Sequence, residues 1–204
     1  MRIIQEQPIK TRPTWDETFM SLAIQNSSRS SCWFIRSGST FVQDNQVISS
    51  GYNGASSRYK DNCLEIGCAK EKRGLKYEES LNSGYCIGIH SEMNGIGHLN
   101  KMNPNKMTLY TTIFPCVTCA KNLEPYSIQR IVFKKKYLDD EFNYALEHLE
   151  KLGIQVDQLD LSLRRFWDIG VYRKWKKKDI WTDEEIENAR KLIDCWEDIF
   201  KKTN

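Results

Sequence analysis

Long apolar runs are missing from this chain. Across 204 residues, none approaches the ~20 consecutive apolar positions of a membrane-spanning helix, so no membrane partner is expected. The opening segment MRIIQEQPIKTRPTWDE has no uninterrupted apolar stretch of signal-peptide length, and a cytoplasmic location is expected. Charge of one sign is also scarce: 30 Lys and Arg against 27 Asp and Glu leave +3, too little to argue for a polyanionic partner. Internal repeats and low-complexity segments are absent. What remains, 40% hydrophobic and 28% charged, describes a soluble globular protein. Its length suits one domain with a substantial core and an appendage.

Cysteine is not scarce. In a chain without an export signal, the seven cysteines are expected as thiolate ligands rather than disulfides. Between Cys86 and Cys119 the sequence spells His90-x-Glu92, then Pro115-Cys116-x-x-Cys119. One imidazole and two thiolates can hold zinc and leave its fourth position open to water. The metal lowers the pKa of such a water from about 15.7 towards 7. Glu92, two residues from His90, can reach that water without binding the metal and move protons to a ring nitrogen and a departing ammonia. This pairing is the signature of zinc-assisted removal of an amino group from a nucleobase.

The elements fall around that stretch. Thr14-Trp15-Asp16-Glu17 reads as a capping box opening a helix to about Gln25. Ser39 to Val42 and Gln46 to Ser50 read as strands joined at Asp44-Asn45. The loop Gly51-Tyr52-Asn53-Gly54 follows, its glycines expected to permit positive φ. Asp61 to Ser83 reads as a long loop or insertion. Ser91 to Asn100 is expected as a helix, Lys106 to Thr112 as a strand, and Cys116 to Leu123 as a helix whose N-terminal dipole favours thiolate. Then come a strand over Arg130 to Lys134, a helix over Asp140 to Leu152 ended by Gly153, and a strand over Ile154 to Leu159. This order predicts an α/β fold, a mixed sheet with helices on its faces. Residues 1–160 read as the zinc-dependent domain and 161–204 as a basic, aromatic extension. A second capping box at Thr182 to Glu185 opens an amphipathic helix there, with Ile186, Ala189, Ile193, Trp196 and Phe200 on one stripe.

Four segments together resemble the deoxycytidylate (dCMP) deaminase family of the cytidine-deaminase-like fold. They are Ser31-Cys32, Gly51-Tyr52-Asn53-Gly54, His90-Ser91-Glu92-Met93-Asn94 and Pro115-Cys116-Val117-Thr118-Cys119, and the resemblance covers roughly Trp15 to Leu159. It implies a three-layer fold and hydrolysis of dCMP, or a 5-substituted dCMP, with release of ammonia. Glu92 would be catalytic, and His90, Cys116 and Cys119 would bind zinc. Cys32, Cys63, Cys68 and Cys86 would hold a second, structural zinc, as in some family members, the alternative being four buried free thiols. Asn53 would contact the sugar and Ser91 the substrate, with Arg36 a candidate for the 5′-phosphate. The resemblance further implies a hexamer activated by dCTP and inhibited by dTTP. The effector, accompanied by Mg, would sit near Gly51, Tyr52, Asn53 and Gly54. The chain departs from the family pattern where Ser91 and Gly95 replace Ala, where Phe114 replaces a smaller residue, and over Arg36 to Ser39.

Two other functions remain open. A deaminase acting on tRNA or single-stranded DNA could grip phosphates with Arg173-Lys174-Trp175-Lys176-Lys177-Lys178. The acidic stretch Asp179 to Glu187 follows at once, and the extra cysteines favour a free nucleotide, so nucleic acid is not the expected partner. A catalytically silent zinc module, binding a partner through its last helix, is the third reading.

Overall fold

The computed structural model describes the chain except residues 9–10, 57, 60–61, 76–84, 100–105, 138, 171–181, 183, 186 and 194–204. Thr14 caps the first helix as its sequence predicts. Its hydroxyl accepts the Glu17 N–H at 3.1 Å, while the Glu17 carboxylate accepts the Thr14 N–H at 2.8 Å. Helix α1 then runs Trp15–Ser27. Strands β2 (Gly38–Gln43) and β3 (Gln46–Tyr52) form the expected hairpin, after a short β1 (Arg2–Ile3) that periodicity did not reveal. Asp44 and Asn45 both take positive φ, 49° and 58°, the backbone that a two-residue hairpin turn requires.

The middle of the chain carries short β4 (Gly54–Ala55), α2 (Cys63–Ile66) and β5 (Gly88–Ile89), with β4 and β5 paired antiparallel. Beyond them lie α3 (Ser91–Ile96), β6 (Met107–Ile113), α4 (Val117–Leu123), β7 (Ile128–Lys135), α5 (Asp139–Lys151), β8 (Gln155–Gln158) and α6 (Leu163–Gly170). The main sheet has the order β1-β8-β7-β6-β2-β3. Strands β1, β8, β7 and β6 are parallel, and β2 and β3 are antiparallel to their neighbours. This is the mixed α/β sheet the sequence implied.

Both faces of the central strands are covered, so adjacent residues serve opposite layers. Phe41, Leu109, Ile131 and Phe133 join one core with residues of α3, α4 and α5, including Ile96, Leu123, Phe142 and Leu149. Val42, Tyr110 and Val132, one step along each strand, join Phe19, Met20 and Ala23 of α1. Leu161 is fully buried in that second core, and Phe166 and Ile169 of α6 pack against it. The segment after Asp160 is therefore continuous with this body as far as α6. The basic run Arg173 to Lys178, Cys195, and most of the terminal apolar stripe lie outside the described residues. Thr182 does form its expected box, its hydroxyl accepting the Glu185 N–H at 3.1 Å.

Two local expectations are corrected. Helix α3 ends at Ile96 rather than Asn100: beyond it, His98 and Leu99 donate to carbonyls three residues back, those of Gly95 and Ile96. Gly51 and Tyr52 are not loop residues but the end of β3, and Gly51 has no positive φ. Its glycine is demanded by proximity, since a Cβ there would lie 2.1 Å from the Ser91 carbonyl oxygen. Gly95 is similar, because a Cβ would meet the Phe41 ring at 2.3 Å. Helix α3 is thereby pressed directly onto β2 and β3. Three side chains pin it there: Ser39 donates to the Ser91 carbonyl at 2.8 Å, Ser49 to the Gly95 carbonyl at 2.7 Å, and Asn94 to the Tyr52 carbonyl at 2.9 Å.

Candidate active site

Two helix starts meet at the site. His90 is the N-cap of α3 and Cys116 the N-cap of α4, with Cys119 one turn into α4. The Nδ1 of His90 lies 3.5 Å from Cys116 Sγ and 3.3 Å from Cys119 Sγ. Tetrahedral zinc, with bonds of roughly 2.05 Å to nitrogen and 2.3 Å to sulfur, separates two such ligands by about 3.6 Å. The donor set therefore fits zinc in both chemistry and spacing. Among the described residues, it is the one group of three or more such donors that all lie within 4.8 Å of one another.

Glu92 sits immediately inside, 4% exposed. Burial pushes its carboxyl above the ordinary carboxylate range, against its own backbone N–H, the charge of His90 and the Ser91 hydroxyl. Cys116 is pulled down to about 4, chiefly by the hydrogen bond from Cys119, against burial and with help from His90. His90 is raised, first by its hydrogen bond to Cys116. A carboxyl whose affinity for protons is raised by burial, beside the zinc-ligand set, suits acid–base chemistry.

The hydroxyls behind Glu92 form a buried chain. Ser91 donates to the Glu92 carboxylate at 3.2 Å and shares a 2.8 Å hydrogen bond with Ser37. Thr112 donates to Ser37 at 3.4 Å and accepts from the Gly38 N–H at 3.0 Å. Ser91 is wholly buried, its hydroxyl engaged by Glu92 and Ser37, at a position that lines the cavity in front of them.

A cavity of about 110 Å³ fronts these groups. Asn53 lines it, but its amide is also structural: Oδ1 accepts the Ser37 N–H at 2.7 Å and Nδ2 donates to the Ile35 carbonyl at 2.8 Å. Gly54 lines the cavity too, whereas Gly51 and Tyr52 do not. Arg36 is exposed and outside the lining, so the cavity gives the proposed phosphate contact no support. Sequence reasoning missed Trp33, Phe34, Tyr137 and Lys70, all of which line it. The one available signal was position: Trp33 and Phe34 follow Cys32, and Lys70 follows Cys68.

All four remaining described cysteines, Cys32, Cys63, Cys68 and Cys86, line the same cavity. Burial, and then the neighbouring Cys32, Cys86 and Cys68, raise the pKa of Cys63. The four thiols are thus brought to one locality, in free form, without the closeness of the His90 group.

Residues 13–135 match the model of the cytidine and deoxycytidylate deaminase zinc-binding region. The chain belongs to that family. It is 33% identical to the deoxycytidylate deaminase of Saccharomyces cerevisiae over 152 residues, covering 74% of this chain and 46% of that protein. The Mycobacterium phage D29 deoxycytidylate deaminase is 30% identical over 132 residues, 62% of this chain and 98% of the phage protein. The chain spans about half the length of the two yeast relatives it matches. The cyanophage S-TIM5 dCMP deaminase, solved in complex with dCMP and dUMP, shares the fold at a TM-score of 0.57 and 21% identity, covering 73% of this chain and 99% of that one. The His90, Cys116 and Cys119 cluster, which could hold a metal ion, lies within the matched residues.

Proposed function

We propose that this chain is a zinc-dependent hydrolytic deaminase that converts dCMP to dUMP and ammonia. The observation carrying the reading is the buried Glu92 beside the His90, Cys116 and Cys119 cluster, with Glu92, His90 and Cys116 all lining one cavity. The relatives named deoxycytidylate deaminase support it.

Bound at the three ligands, zinc would supply a water that ionises near neutral pH. Glu92 would take a proton from the attacking water and pass protons to N3 and to the exocyclic nitrogen as oxygen replaces nitrogen at C4. The C4–N bond breaks and ammonia leaves. Ser91, held by Ser37, keeps the Glu92 carboxyl aimed. Ile113 and Phe114 give the cavity an apolar wall. Asn53 would meet the deoxyribose through the donor and acceptor capacity that its backbone bonds leave.

The reading extends to a second, structural zinc on Cys32, Cys63, Cys68 and Cys86, supported by their shared locality. It extends further to a cytoplasmic homo-oligomer, a hexamer, whose dCTP and dTTP effectors bind with Mg near Gly51 to Gly54. Those last features come with the resemblance alone. Among the described residues, no helix is long and apolar enough to cross a membrane. Light scattering that finds a monomer, or a flat response to both triphosphates, removes them.

The aromatic lining of Trp33, Phe34 and Tyr137 would also suit a single-stranded nucleic acid. Ammonia release separates the readings: dCMP should be turned over and a cytosine-containing oligonucleotide should not. The reverse result would establish a nucleic-acid deaminase, and no release from either would leave a silent zinc module.

A further inference from the structure

We propose that Thr112 and Ser37 are positioning residues for the reaction: acting through Ser91, they fix one carboxylate oxygen of Glu92, Oε2, and reserve the other, Oε1, for water and substrate. The proposal rests on the deaminase reading above and deepens it. A chain of hydroxyls can in general run in either direction, but this one has a single sense. The Gly38 N–H can only donate, and it donates to Thr112 Oγ1 at 3.0 Å. Thr112 turns its one proton onto Ser37 Oγ at 3.4 Å. At the far end an ionised carboxylate only accepts, so Ser91 directs its proton to Glu92 Oε2 at 3.2 Å. The 2.8 Å contact between Ser37 and Ser91 would by itself allow either donor; with the Ser91 proton committed, Ser37 donates. Each hydroxyl thus accepts once and donates once, from sheet to helix.

All three hydroxyl residues are buried. Among the described residues, the one buried side-chain nitrogen or oxygen without a partner is His148 Nε2, so none of these hydroxyls is left over. Burying hydroxyls costs free energy unless each is bonded, and bonds aligned in one sense polarise one another. The chain rests on regular structure: Thr112 lies in β6, Ser37 immediately precedes β2, and Ser91 opens α3. Asn53 clamps Ser37, its Oδ1 accepting the Ser37 N–H at 2.7 Å and its own N–H donating to the Ser37 carbonyl at 3.0 Å. Holding α3 on the sheet does not require the chain, because Ser39, Ser49 and Asn94 already do so. It ends instead on the acid–base carboxylate. Thr112 is outside the cavity lining, whereas Ser37, Ser91 and Glu92 belong to it, so Thr112 acts without touching substrate. The alanine of the family pattern at position 91 has no hydroxyl, which makes this route to Glu92 a feature of this chain.

The test measures dCMP turnover, zinc content and calorimetric binding of dUMP on Ser91→Ala, Thr112→Val, Thr112→Ser and the double variant of Ser91→Ala with Thr112→Val. Ser91→Ala should lower kcat about 10- to 100-fold, the range of a lost hydrogen bond to a charged group. Thr112→Val, nearly isosteric and remote from substrate, should lower kcat about 3- to 10-fold, the smaller loss of a neutral bond. In both, KM for dCMP, affinity for dUMP and zinc content should stay within about twofold of the wild type. Thr112→Ser keeps the hydroxyl and should restore kcat. The double variant should be no slower than Ser91→Ala, because Thr112 acts only through Ser91. Ser37→Ala breaks the chain one link nearer and should show the same pattern and the same non-additivity, without altering β6. Additive losses, an unchanged kcat in Ser91→Ala or Thr112→Val, or a loss carried by KM, dUMP binding or zinc content overturns the assignment. A wild type that releases no ammonia from dCMP overturns the deaminase reading itself.

Discussion

The Arg165 guanidinium forks onto the Glu17 carboxylate, Nε to Oε1 and Nη2 to Oε2 each at 3.0 Å, with both side chains buried. The same carboxylate accepts the N–H groups of Thr14 at 2.8 Å and Gln7 at 2.6 Å, so one residue ties the N-terminal segment and α6 to α1. Removing one member leaves an uncompensated buried charge. Arg165→Met should therefore cost about 3–5 kcal/mol in denaturant unfolding, and the double variant with Glu17→Gln should cost less.

Acid should act through the same residue. Burial raises the Glu17 pKa, but the Arg165 hydrogen bond and the Thr14 and Gln7 amides outweigh it, holding the carboxyl below its ordinary value of 4.5. Asp16 and Asp157 are also lowered against burial, by Arg130 with Tyr110 and by Arg2 with Arg130. A carboxyl depressed in the native state adds stability above its unfolded pKa, and that stability is lost as pH falls through the folded one. Urea midpoints taken from about pH 7 to about pH 3 should hold steady at first and drop below roughly pH 4.5. Arg165→Met should flatten the part of that drop due to Glu17.

Glu92→Gln should lower turnover of dCMP at least 10²–10⁴-fold, the usual contribution of an acid–base group. Metal analysis should find its zinc content unchanged, whereas His90→Ala should lose metal and activity together. Near-normal turnover in Glu92→Gln would remove Glu92 from the mechanism.

Quantification on the purified chain should return about two zincs, falling to about one in Cys68→Ser, with a lowered unfolding midpoint because structural zinc contributes directly to folding. One zinc in the wild type, with unchanged stability in Cys68→Ser, would leave the four thiols as free cysteines.

Gly51→Ala should be a strongly damaging single-methyl insertion beside the site. The added Cβ meets backbone, the Ser91 oxygen at 2.1 Å and the Gly95 nitrogen at 2.5 Å, and neither can rotate away. A loss of about 3 kcal/mol or more is expected in thermal or urea unfolding, and any folded fraction should turn over dCMP slowly because α3 carries Glu92.

Much of this was legible in the chain because it is local. Thr14 and Glu17 announce a helix start three residues apart, Gly153 ends α5 with its φ of +74°, and His90, Glu92, Cys116 and Cys119 advertise their chemistry by spacing. What was hidden depends on distant partners. Arg165 is 148 residues from Glu17, and its polar neighbourhood resembles a solvated face until α6 folds back. Strand β1 is only two residues long, too short for any period, and exists because β8 offers an open parallel edge. Lys70 looked like any loop lysine because the cavity it lines is assembled from segments far apart in sequence. The glycines of the Gly51 to Gly54 motif invited a turn reading, but Gly51 answers to a neighbouring helix rather than to its own dihedral angle.

The contact of Gly95 with Phe41 has a consequence for how this sequence can drift. A methyl at position 95 would collide with a ring that is itself fully buried, and a smaller residue at position 41 would open a void beneath α3. Each residue makes the other hard to replace alone, so an alanine at 95 is reachable only through a paired change. The two positions should therefore vary together across close relatives, large with small and small with large, as a historical lock recorded one layer behind the chemistry.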